Sequence, residues 1–496
     1  MLFNSIDYLL FFPIILLVYF IIPVKVRYVW LLGVSYYFYM CWNPAYVILL
    51  LVATITTYLS GLAIERISLR ESETNKYIKQ ICVVISIIIN LGMLLFYKYM
   101  GFFLESVGQA AGILNLDFNL PEFDILLPVG ISYYIFQVMG YVIDVYRGDI
   151  KAEKNILTYA LYVAFFPKLV SGPIERSQNL LKQLKNPVYF NVAHAKSGLL
   201  SIAYGLFLKL VVADNIAVVI NPVFENYNTG HGMIIMTAVI LFAFQIYCDF
   251  QGYTLLAIGS AKILGMDILQ NFNAPYLAGS VREFWQRWHI SLTSWFRDYL
   301  YIPLGGNRKG YFRKQLNTLI VFLLSGLWHG AGWNYIVWGG LNGLYIILQD
   351  LSRKFREKWY GIFNMNTDSI IWKVSSRIVT FALIDIAWLF FVSNSLSEAI
   401  LMLKIMVVDF NPFYCLSNDW FSMFGSTKSF AIIVLSLVVV LTLDYSKYRK
   451  VDIKEKIFAQ RMIVRWMIYI VLLLSILLLG NYGGEYEQTQ FIYFQF

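Results

Sequence analysis

Apolar runs long enough to cross a lipid bilayer recur along the whole of this 496-residue chain. A helix of about 20 mainly apolar residues crosses the roughly 30 Å of hydrocarbon in a bilayer. Only 14% of the residues are charged, whereas about one quarter of a soluble domain is charged. A transmembrane β-barrel would instead show short segments of alternating hydrophobicity. The pattern therefore predicts an all-α polytopic membrane protein with roughly eleven transmembrane helices and additional re-entrant segments.

The basic residues lie in clusters between the apolar runs, and the net charge is +9. Cytoplasmic loops of membrane proteins carry an excess of Lys and Arg, so this distribution indicates topology rather than nucleic-acid binding. The clusters at 66–79 and 447–461 are expected to be cytoplasmic, and the acidic stretch 99–126 to be outside. The first apolar run, 9–24, has no cleavage signature and is interpreted as a retained helix. Both termini are therefore expected to be extracytoplasmic.

One region departs from regular helical periodicity. Residues 157–185 combine Pro167, Gly172 and Pro173 with charged residues in an apolar context. Proline removes a helical hydrogen bond, and non-helical backbone at membrane depth is tolerated only where protein or water surrounds it. We expect broken helices or a re-entrant loop here. The four cysteines are scattered without metal-ligand spacing, so neither a metal site nor a disulfide framework is predicted.

Two of the four histidines lie in a stretch rich in charges and tryptophans, residues 280–334. Residues 282–298 fit one α-helix, because aromatic residues such as Phe284 and Trp288 recur on one side at helical spacing. An amphipathic helix at the inner membrane interface, with tryptophans as belt residues, also fits this pattern. That alternative does not explain His289, since an interfacial anchor needs no histidine.

The second histidine of this stretch, His329, lies between two apolar runs and is flanked by glycines, which let backbone and ligand approach closely. Loss of solvation near the bilayer interior favours the neutral imidazole, which can take a proton from a hydroxyl as a general base. A structural histidine that hydrogen-bonds between helices is the alternative. We predict that His289 and His329 form a functional pair, whereas His194 and His231 are structural.

A basic segment follows the predicted helix, after Pro303 and a pair of glycines that break the chain. It contains Arg308, Lys309, Arg313 and Lys314. These side chains can hold a phosphate-bearing ligand at the cytoplasmic face, and they equally fit a topology signal.

Six motifs, which run in order over most of the chain, resemble the membrane-bound O-acyltransferase (MBOAT) family in its bacterial alginate O-acetyltransferase branch. They are LPVGIS at 127–132, SGPIER at 171–176, Asp249 with Gly252-Tyr253, EFW to HISL at 283–292, RDYLYIPLGG at 297–306 and LWHG at 327–330. The resemblance implies an MBOAT-like fold in which His329 is the catalytic histidine of a buried site and His289 a second active-site residue. One departure lies at Thr254-Leu255-Leu256, where members of the branch often have an acidic residue.

We expect the substrate-binding side chains among these motifs and the residues next to them. They are Arg287, Trp288, Arg297, Asp298, Tyr301, Trp328, Asp249 and Asn334. The resemblance implies no metal and no bound cofactor. It implies acetyl-CoA as the acyl donor, a substrate whose phosphates the basic segment would attract.

The chain ends in an aromatic hexapeptide, 491–496, on the predicted outer side. Aromatic residues that rest on lipid headgroups are one interpretation. In acyl-export systems of this family such a tail carries a tyrosine proposed as an acyl relay, and the resemblance implies Tyr493 for that role. The segment from Gly480 to Tyr493 can span about 43 Å, whereas half the hydrocarbon core is only about 15 Å thick. Because a phenol has a pKa of about 10, its ester is activated for further transfer.

These observations predict a transmembrane catalytic domain over 1–480 and an extracytoplasmic aromatic tail over 481–496. The resemblance implies a membrane enzyme of a bacterial cell that exports acetyl groups for O-acetylation of a cell-surface or secreted polysaccharide. An extracytoplasmic SGNH-hydrolase-like partner would finish the transfer. Within the family, D-alanyl transfer to teichoic acid is the alternative, although its aromatic tail belongs to a separate subunit. A transporter or a scaffold of a polysaccharide export complex is the alternative from another class, and we find none of the internal repeats that a transporter predicts.

Overall fold

The computed structural model describes residues 1, 3–69, 73–115, 127–170, 172–186 and 188–482, which are mostly helical and contain no strand. The all-α fold class is therefore confirmed. Several predicted features lie outside the described residues: Tyr493 and most of the C-terminal tail, Ser171 of the SGPIER motif, and the acidic part of the 99–126 stretch.

The chain forms two compact units, and the first comprises residues 1–202 and 256–269. Its helices are Ile6–Ile21, Arg27–Met40, Val47–Ser68, Glu73–Leu94, Met100–Ile113, Ile131–Arg147, Ile156–Ala164, Phe166–Leu169, Ser177–Leu184 and the first part of Val192–Leu206. The breaks after Ala164 and Leu169 confirm the broken helices that prolines and glycine predict for 157–185.

The second unit comprises residues 203–255 and 270–496. Its helices are Phe207–Ala213, Asp214–Glu225, most of Gly232–Ile263, Val281–Arg287, Ile290–Phe296, Arg297–Tyr301, Tyr311–His329, Trp333–Leu351, Arg353–Ile362, Ile370–Val392, Leu396–Val408, Asn418–Ser422, Thr427–Tyr448, Ile453–Phe458 and Met462–Leu479. Two of them, Phe207–Ala213 and Arg297–Tyr301, are wide π turns, a form that is frequent at functional sites. Every described residue of the predicted site belongs to this unit.

Seven helical stretches of the described chain are long and apolar enough to cross a membrane, which makes this a multi-pass membrane protein. They are Pro44–Ser68, Asn75–Ile113, Val192–Glu225, Gly232–Ile263, Ile370–Val392, Thr427–Tyr448 and Met462–Leu479. The expected number of roughly eleven also counted shorter helices, among them Ile6–Ile21, Arg27–Met40 and Ile131–Arg147.

One helix of the first unit extends into the stretch 99–126, which was expected to be outside. It begins at Glu73, continues through a π turn at Leu95–Tyr99 and ends only at Ile113. The continuation Met100–Ile113 is rich in apolar residues and has no proline, the residue that opposes a helix most strongly. Asn115 then adopts a left-handed conformation with φ 55°, which is a common way to end a helix.

Two glycines of the first unit explain the motifs that contain them. Gly130 of LPVGIS has φ +74°, and a Cβ atom there would lie 2.4 Å from the carbonyl oxygen of Leu169. A Cβ atom on Gly172 of SGPIER would lie 2.3 Å from the Cα of Lys168. Both distances are far below van der Waals contact, so only glycine fits at these two positions.

Candidate active site

His329 is the last residue of the helix Tyr311–His329, at a tight turn into the helix Trp333–Leu351. The two helices approach each other closely, because a Cβ atom on Gly326 would lie 2.2 Å from the carbonyl oxygen of Tyr335. A Cβ atom on Gly330 would lie 2.2 Å from the Tyr335 ring. The glycines around His329 therefore hold the turn compact, which agrees with small residues allowing close helix packing in membranes.

Asn334 connects this turn to a third helix through hydrogen bonds. Its side-chain amide donates to the carbonyl oxygens of Ser393 at 2.7 Å and of Phe390 at 3.4 Å, both at the C-terminal end of Ile370–Val392. Asn334 was predicted to bind substrate. The contacts that the structure gives it instead position the backbone next to His329.

Aromatic rings surround His329, whose residue surface is only 3% exposed. The ring centroids of Trp328, Trp338 and Phe391 lie 4.8, 4.9 and 5.6 Å from that of the imidazole, each in an edge-to-face arrangement. Apolar surroundings of this kind disfavour a charged side chain. These surroundings favour the uncharged form of His329.

The predicted single helix over 282–298 is wrong, because the chain breaks at His289. Val281–Arg287 ends, His289 adopts a left-handed conformation with φ 42° and ψ 53°, and Ile290–Phe296 begins anew. A non-glycine residue in this region costs about 1–3 kcal/mol, and such strain is concentrated at functional sites. No glycine or proline marks the break, and the apolar spacing continues across it.

Asn271, which the sequence analysis missed, stabilises this strained turn. Its carbonyl oxygen accepts from the backbone N–H of Ile290 at 2.9 Å, and its side-chain oxygen accepts from the Ser291 hydroxyl at 2.6 Å. Its side-chain amide donates to the Thr254 hydroxyl at 3.3 Å. Thr254 lies in the segment where the sequence departs from the family pattern. Its contact therefore gives that segment a role in positioning His289 through Asn271.

The structure brings the two histidines together. Their ring centroids lie 6.3 Å apart, and His289 also contacts Trp328 at 5.9 Å and Phe250 at 4.8 Å. His289 is fully buried, and this burial lowers its pKa from 6.5 to about 3. It is therefore neutral at physiological pH and can either donate or accept a hydrogen bond.

The tryptophans of the motifs form the walls of this site. Trp328 contacts both histidines. Trp288 is fully buried, stacks on Phe284 at 5.4 Å and meets Trp388 at 5.1 Å. Trp388 belongs to the helix Ile370–Val392, outside every motif, and was missed because a tryptophan within an apolar helix has no distinguishing sequence signal.

Asp249 belongs to a buried ion triad. The Lys209 ammonium lies 2.8 Å from one oxygen of Asp214 and 2.8 Å from one oxygen of Asp249, and all three side chains are at most 4% exposed. The helices carrying them approach closely at Gly252, where a Cβ atom would lie 2.9 Å from the carbonyl oxygen of Gly205. Lys209 and Asp214 were missed, although single charges within an apolar run were their signal.

Polar contacts also involve the other four predicted binding residues, which are Arg287, Arg297, Asp298 and Tyr301. Arg287 pairs with Glu283 at 2.9 Å and lies 4.9 Å from the centre of the Tyr448 ring. Arg297, whose side chain is 63% exposed, pairs with the neighbouring Asp298 at 2.7 Å. The carbonyl oxygen of Tyr301 accepts from the N–H of Gly306 at 2.9 Å. These contacts assign no ligand to the four side chains.

The basic segment combines exposed and paired cations. Arg308 and Lys309 are exposed, whereas Lys314 pairs with Asp350 at 2.5 Å, and Arg282 pairs with the same carboxylate at 2.8 Å. Asp350 thus compensates part of the positive charge at one end of the segment. Arg308 and Lys309 remain oriented towards solvent, where they can meet an anionic ligand.

Comparison with known proteins finds relatives over most of the chain. Residues 151–393 match the model of the membrane-bound O-acyltransferase family. The chain is similar to the probable alginate O-acetylase AlgI of Pseudomonas syringae pv. tomato, with 35% identity over 80% of this chain and 74% of that protein. It is also 32% identical to the peptidoglycan O-acetyltransferase of Helicobacter pylori, over 80% of this chain and 78% of the relative. The teichoic acid D-alanyltransferase of Bacillus subtilis is 28% identical over 48% of this chain and 62% of its own length.

Proposed function

Because this chain belongs to the membrane-bound O-acyltransferase family, we propose that it moves an acetyl group from cytoplasmic acetyl-CoA across the membrane. The acetyl group then O-acetylates a cell-surface or secreted polysaccharide. The observation that carries the proposal is the pair of buried histidines, 6.3 Å apart within one aromatic enclosure. An uncharged imidazole in such surroundings is a suitable general base.

In the proposed reaction His329 takes the proton of an acceptor hydroxyl. The hydroxyl oxygen attacks the thioester carbonyl, and the C–S bond breaks as the tetrahedral intermediate collapses. The His329 imidazolium then returns its proton to the coenzyme A thiolate, so that the histidine is neutral again. His289, held in its strained turn by Asn271, donates a hydrogen bond to the developing oxyanion, where a preorganised donor is most effective.

Tyr493 is the proposed acceptor and acyl relay. Two hydrogen bonds hold the end of the last transmembrane helix. The side-chain amide of Asn215 donates to the carbonyl oxygen of Leu479 at 2.9 Å, and the backbone N–H of Asn481 donates to the carbonyl oxygen of Leu210 at 3.1 Å. From Tyr482 onwards, eleven residues of chain can reach about 36 Å. That length exceeds half the hydrocarbon thickness of about 15 Å, so the tail can carry a tyrosine hydroxyl to a site within the membrane.

The proposed location is the bacterial cytoplasmic membrane, with both termini extracytoplasmic. The basic loops at 66–79 and 447–461 support this orientation. An extracytoplasmic SGNH-hydrolase-like partner would take the acetyl group from Tyr493 and pass it to the glycan. Single cysteines introduced in the loops and in the tail should be labelled from the corresponding side by impermeant reagents. A tail that is labelled only from the cytoplasm would contradict both the orientation and the relay.

Acetyl-CoA is the proposed donor because the exposed Arg308 and Lys309 can meet the nucleotide phosphates. Acetyl transfer is favoured over D-alanyl transfer because the aromatic tail belongs to this same chain, and because the alginate and peptidoglycan acetylating relatives match a larger share of it.

The test is the ester content of the surface polysaccharide in cells that carry tail variants. Tyr493→Phe keeps the aromatic ring and removes the oxygen, so we expect it to abolish O-acetylation as completely as Tyr493→Ala. If the ring served only as an interfacial anchor, Tyr493→Phe would retain full ester content, because packing is nearly unchanged. Replacement of the neighbouring Phe494 by Leu is a matched control that should retain most acetylation.

A further inference from the structure

Two buried tryptophans beside the histidine pair have indole N–H groups without a hydrogen-bond acceptor. Trp288 is 0% exposed and Trp388 is 1% exposed, and no acceptor lies within hydrogen-bond distance of either Nε1 atom among the described residues. Their ring centroids are 5.1 Å apart. Most buried polar groups in proteins have a partner, and a buried donor without one costs about 1–3 kcal/mol. Two such donors in contact indicate that the partner comes from a ligand.

Two other indoles of the second unit have protein acceptors. The Nε1 atom of Trp285 donates to the side-chain oxygen of Asn342 at 3.1 Å, and that of Trp420 donates to the Thr237 hydroxyl at 2.9 Å. Trp285 is also buried, with 5% exposure, and its ring centroid lies 5.6 Å from that of Trp338. Burial in this region is therefore compatible with a bonded indole, and the tryptophan pair differs from its neighbour.

The pair lies one aromatic ring away from the catalytic histidine. Trp388 contacts Trp338 at 5.8 Å and Phe391 at 5.3 Å. Those two rings contact His329 at 4.9 and 5.6 Å. Trp388 thus lies near His329 and is separated from it by these two rings. An acceptor that binds the pair therefore belongs to a part of the substrate close to the reacting bond and not to the bond itself.

We propose that the indole N–H groups of Trp288 and Trp388 bind the amide carbonyl of the acyl donor that lies nearest to the thioester. The inference rests on the proposed function, in which the donor is a coenzyme A thioester. In such a donor a short ethylene linker separates the thioester sulfur from an amide, whose carbonyl oxygen accepts hydrogen bonds. The apolar linker would pack among the rings, and the amide would supply the acceptor that both indoles require.

This arrangement also determines which donors enter. Both histidines and both tryptophans are at most 3% exposed, so a donor arm that reaches His329 is enclosed by protein. A donor with the amide compensates the buried N–H groups, whereas a donor without it leaves them unpaired. Sites with buried polar groups reject such analogues strongly.

The experiment compares two small acetyl thioesters of equal length on purified protein in lipid nanodiscs. One is S-acetyl-N-acetylcysteamine, which contains the amide, and the other is an S-acetyl alkanethiol in which methylene groups replace the amide. Thiol release is followed at a series of donor concentrations. For Trp388→Phe, which keeps the ring and removes the N–H, we expect the KM of the amide donor to rise about tenfold, as the loss of one buried hydrogen bond implies. The KM of the alkyl donor should change much less, so the ratio of the two KM values should approach one.

The matched control is Trp285→Phe, which removes an N–H that already has a protein acceptor. It should lower the melting temperature, because Asn342 loses its donor, and it should leave the ratio of the two KM values as in the wild type. If Trp388→Phe does not fold, the KM values of the two donors are compared for Trp288→Phe instead. An equal loss of rate with both donors, or no change with either, would overturn the inference. A wild-type protein that releases thiol from neither donor would instead overturn the proposed function.

Discussion

The second unit contains two buried polar groups of opposite character. In the ion triad, Lys209 lies 2.8 Å from each of two aspartates, so charge is compensated by charge. At the histidine pair, uncharged imidazoles meet the edges and faces of aromatic rings. A buried ion cluster holds helices in register, whereas a histidine in an apolar enclosure is available to exchange a proton. The comparison therefore predicts a structural role for the first group and supports the proposed chemistry at the second.

The largest expected effect is on catalysis at the histidine pair. His329→Ala should lower acetyl transfer by about 10²–10⁴-fold, the usual contribution of a general base. Its abundance in the membrane and its melting temperature should fall much less than its activity. Surface ester content and protein amount should be measured on the same cells. A well-expressed variant with normal ester content would place the chemistry elsewhere.

At the triad we expect the main effect on stability and not on catalysis. Lys209→Met removes the positive charge and leaves two buried aspartates without it, a change that typically costs about 3–5 kcal/mol. The free energy of unfolding in detergent, or the amount of folded protein in the membrane, measures this loss. The matched control is Lys209→Met combined with Asp214→Asn and Asp249→Asn, in which the charges disappear together. Recovery of folded protein in the triple variant would confirm a structural triad, and an unchanged single variant would contradict it.

His289 should make the stability of the folded protein sensitive to acid. Its pKa falls from 6.5 to about 3 on burial, so between these values the unfolded chain binds more protons than the folded protein at this position. The contribution of His289 to stability is therefore present above about pH 6.5 and is lost as the pH falls towards 3. His289→Gln, which cannot titrate, should flatten the decrease of melting temperature between pH 6 and about 4. A decrease as steep as that of the wild type would exclude this residue as the cause.

The smallest effect is expected at the exposed pair of Arg297 and Asp298. An ion pair this accessible contributes about 0–1 kcal/mol to stability, so Arg297→Gln should leave the melting temperature almost unchanged. If Arg297 contacts the acyl donor, as the motif suggests, the same variant should raise the KM of acetyl-CoA. Measuring both quantities on one preparation separates the two roles.

The sequence was informative wherever the cause of a feature is local. Recurrent apolar runs predicted the helical membrane fold, and Pro167, Gly172 and Pro173 predicted the broken helices of the first unit. The proximity of His289 and His329 also followed, because the motifs that carry them point to one site. The conformation of His289 did not follow, since its turn depends on Asn271, a partner distant in sequence whose contacts no local pattern reveals.

The remaining misses have the same physical origin. Lys209 and Asp214 become a triad only when a π turn and a close helix contact at Gly252 bring them to Asp249. Trp388 is a candidate ligand contact because its N–H has no acceptor among the described residues. That is a property of the packed structure and not of the residue type. Roles that depend on what surrounds a side chain thus require the fold, whereas elements that depend on spacing and composition do not.

The central claim is that His329, as general base, promotes transfer of an acetyl group from the donor to the hydroxyl of Tyr493. It is tested most directly by incubating purified protein with isotopically labelled acetyl-CoA and analysing the C-terminal peptide by mass spectrometry. The account predicts a labelled acetyl group on Tyr493 in the wild type and none in His329→Ala. A labelled Tyr493 at the same level in His329→Ala, or acetyl transfer to the glycan without any label on Tyr493, would contradict it.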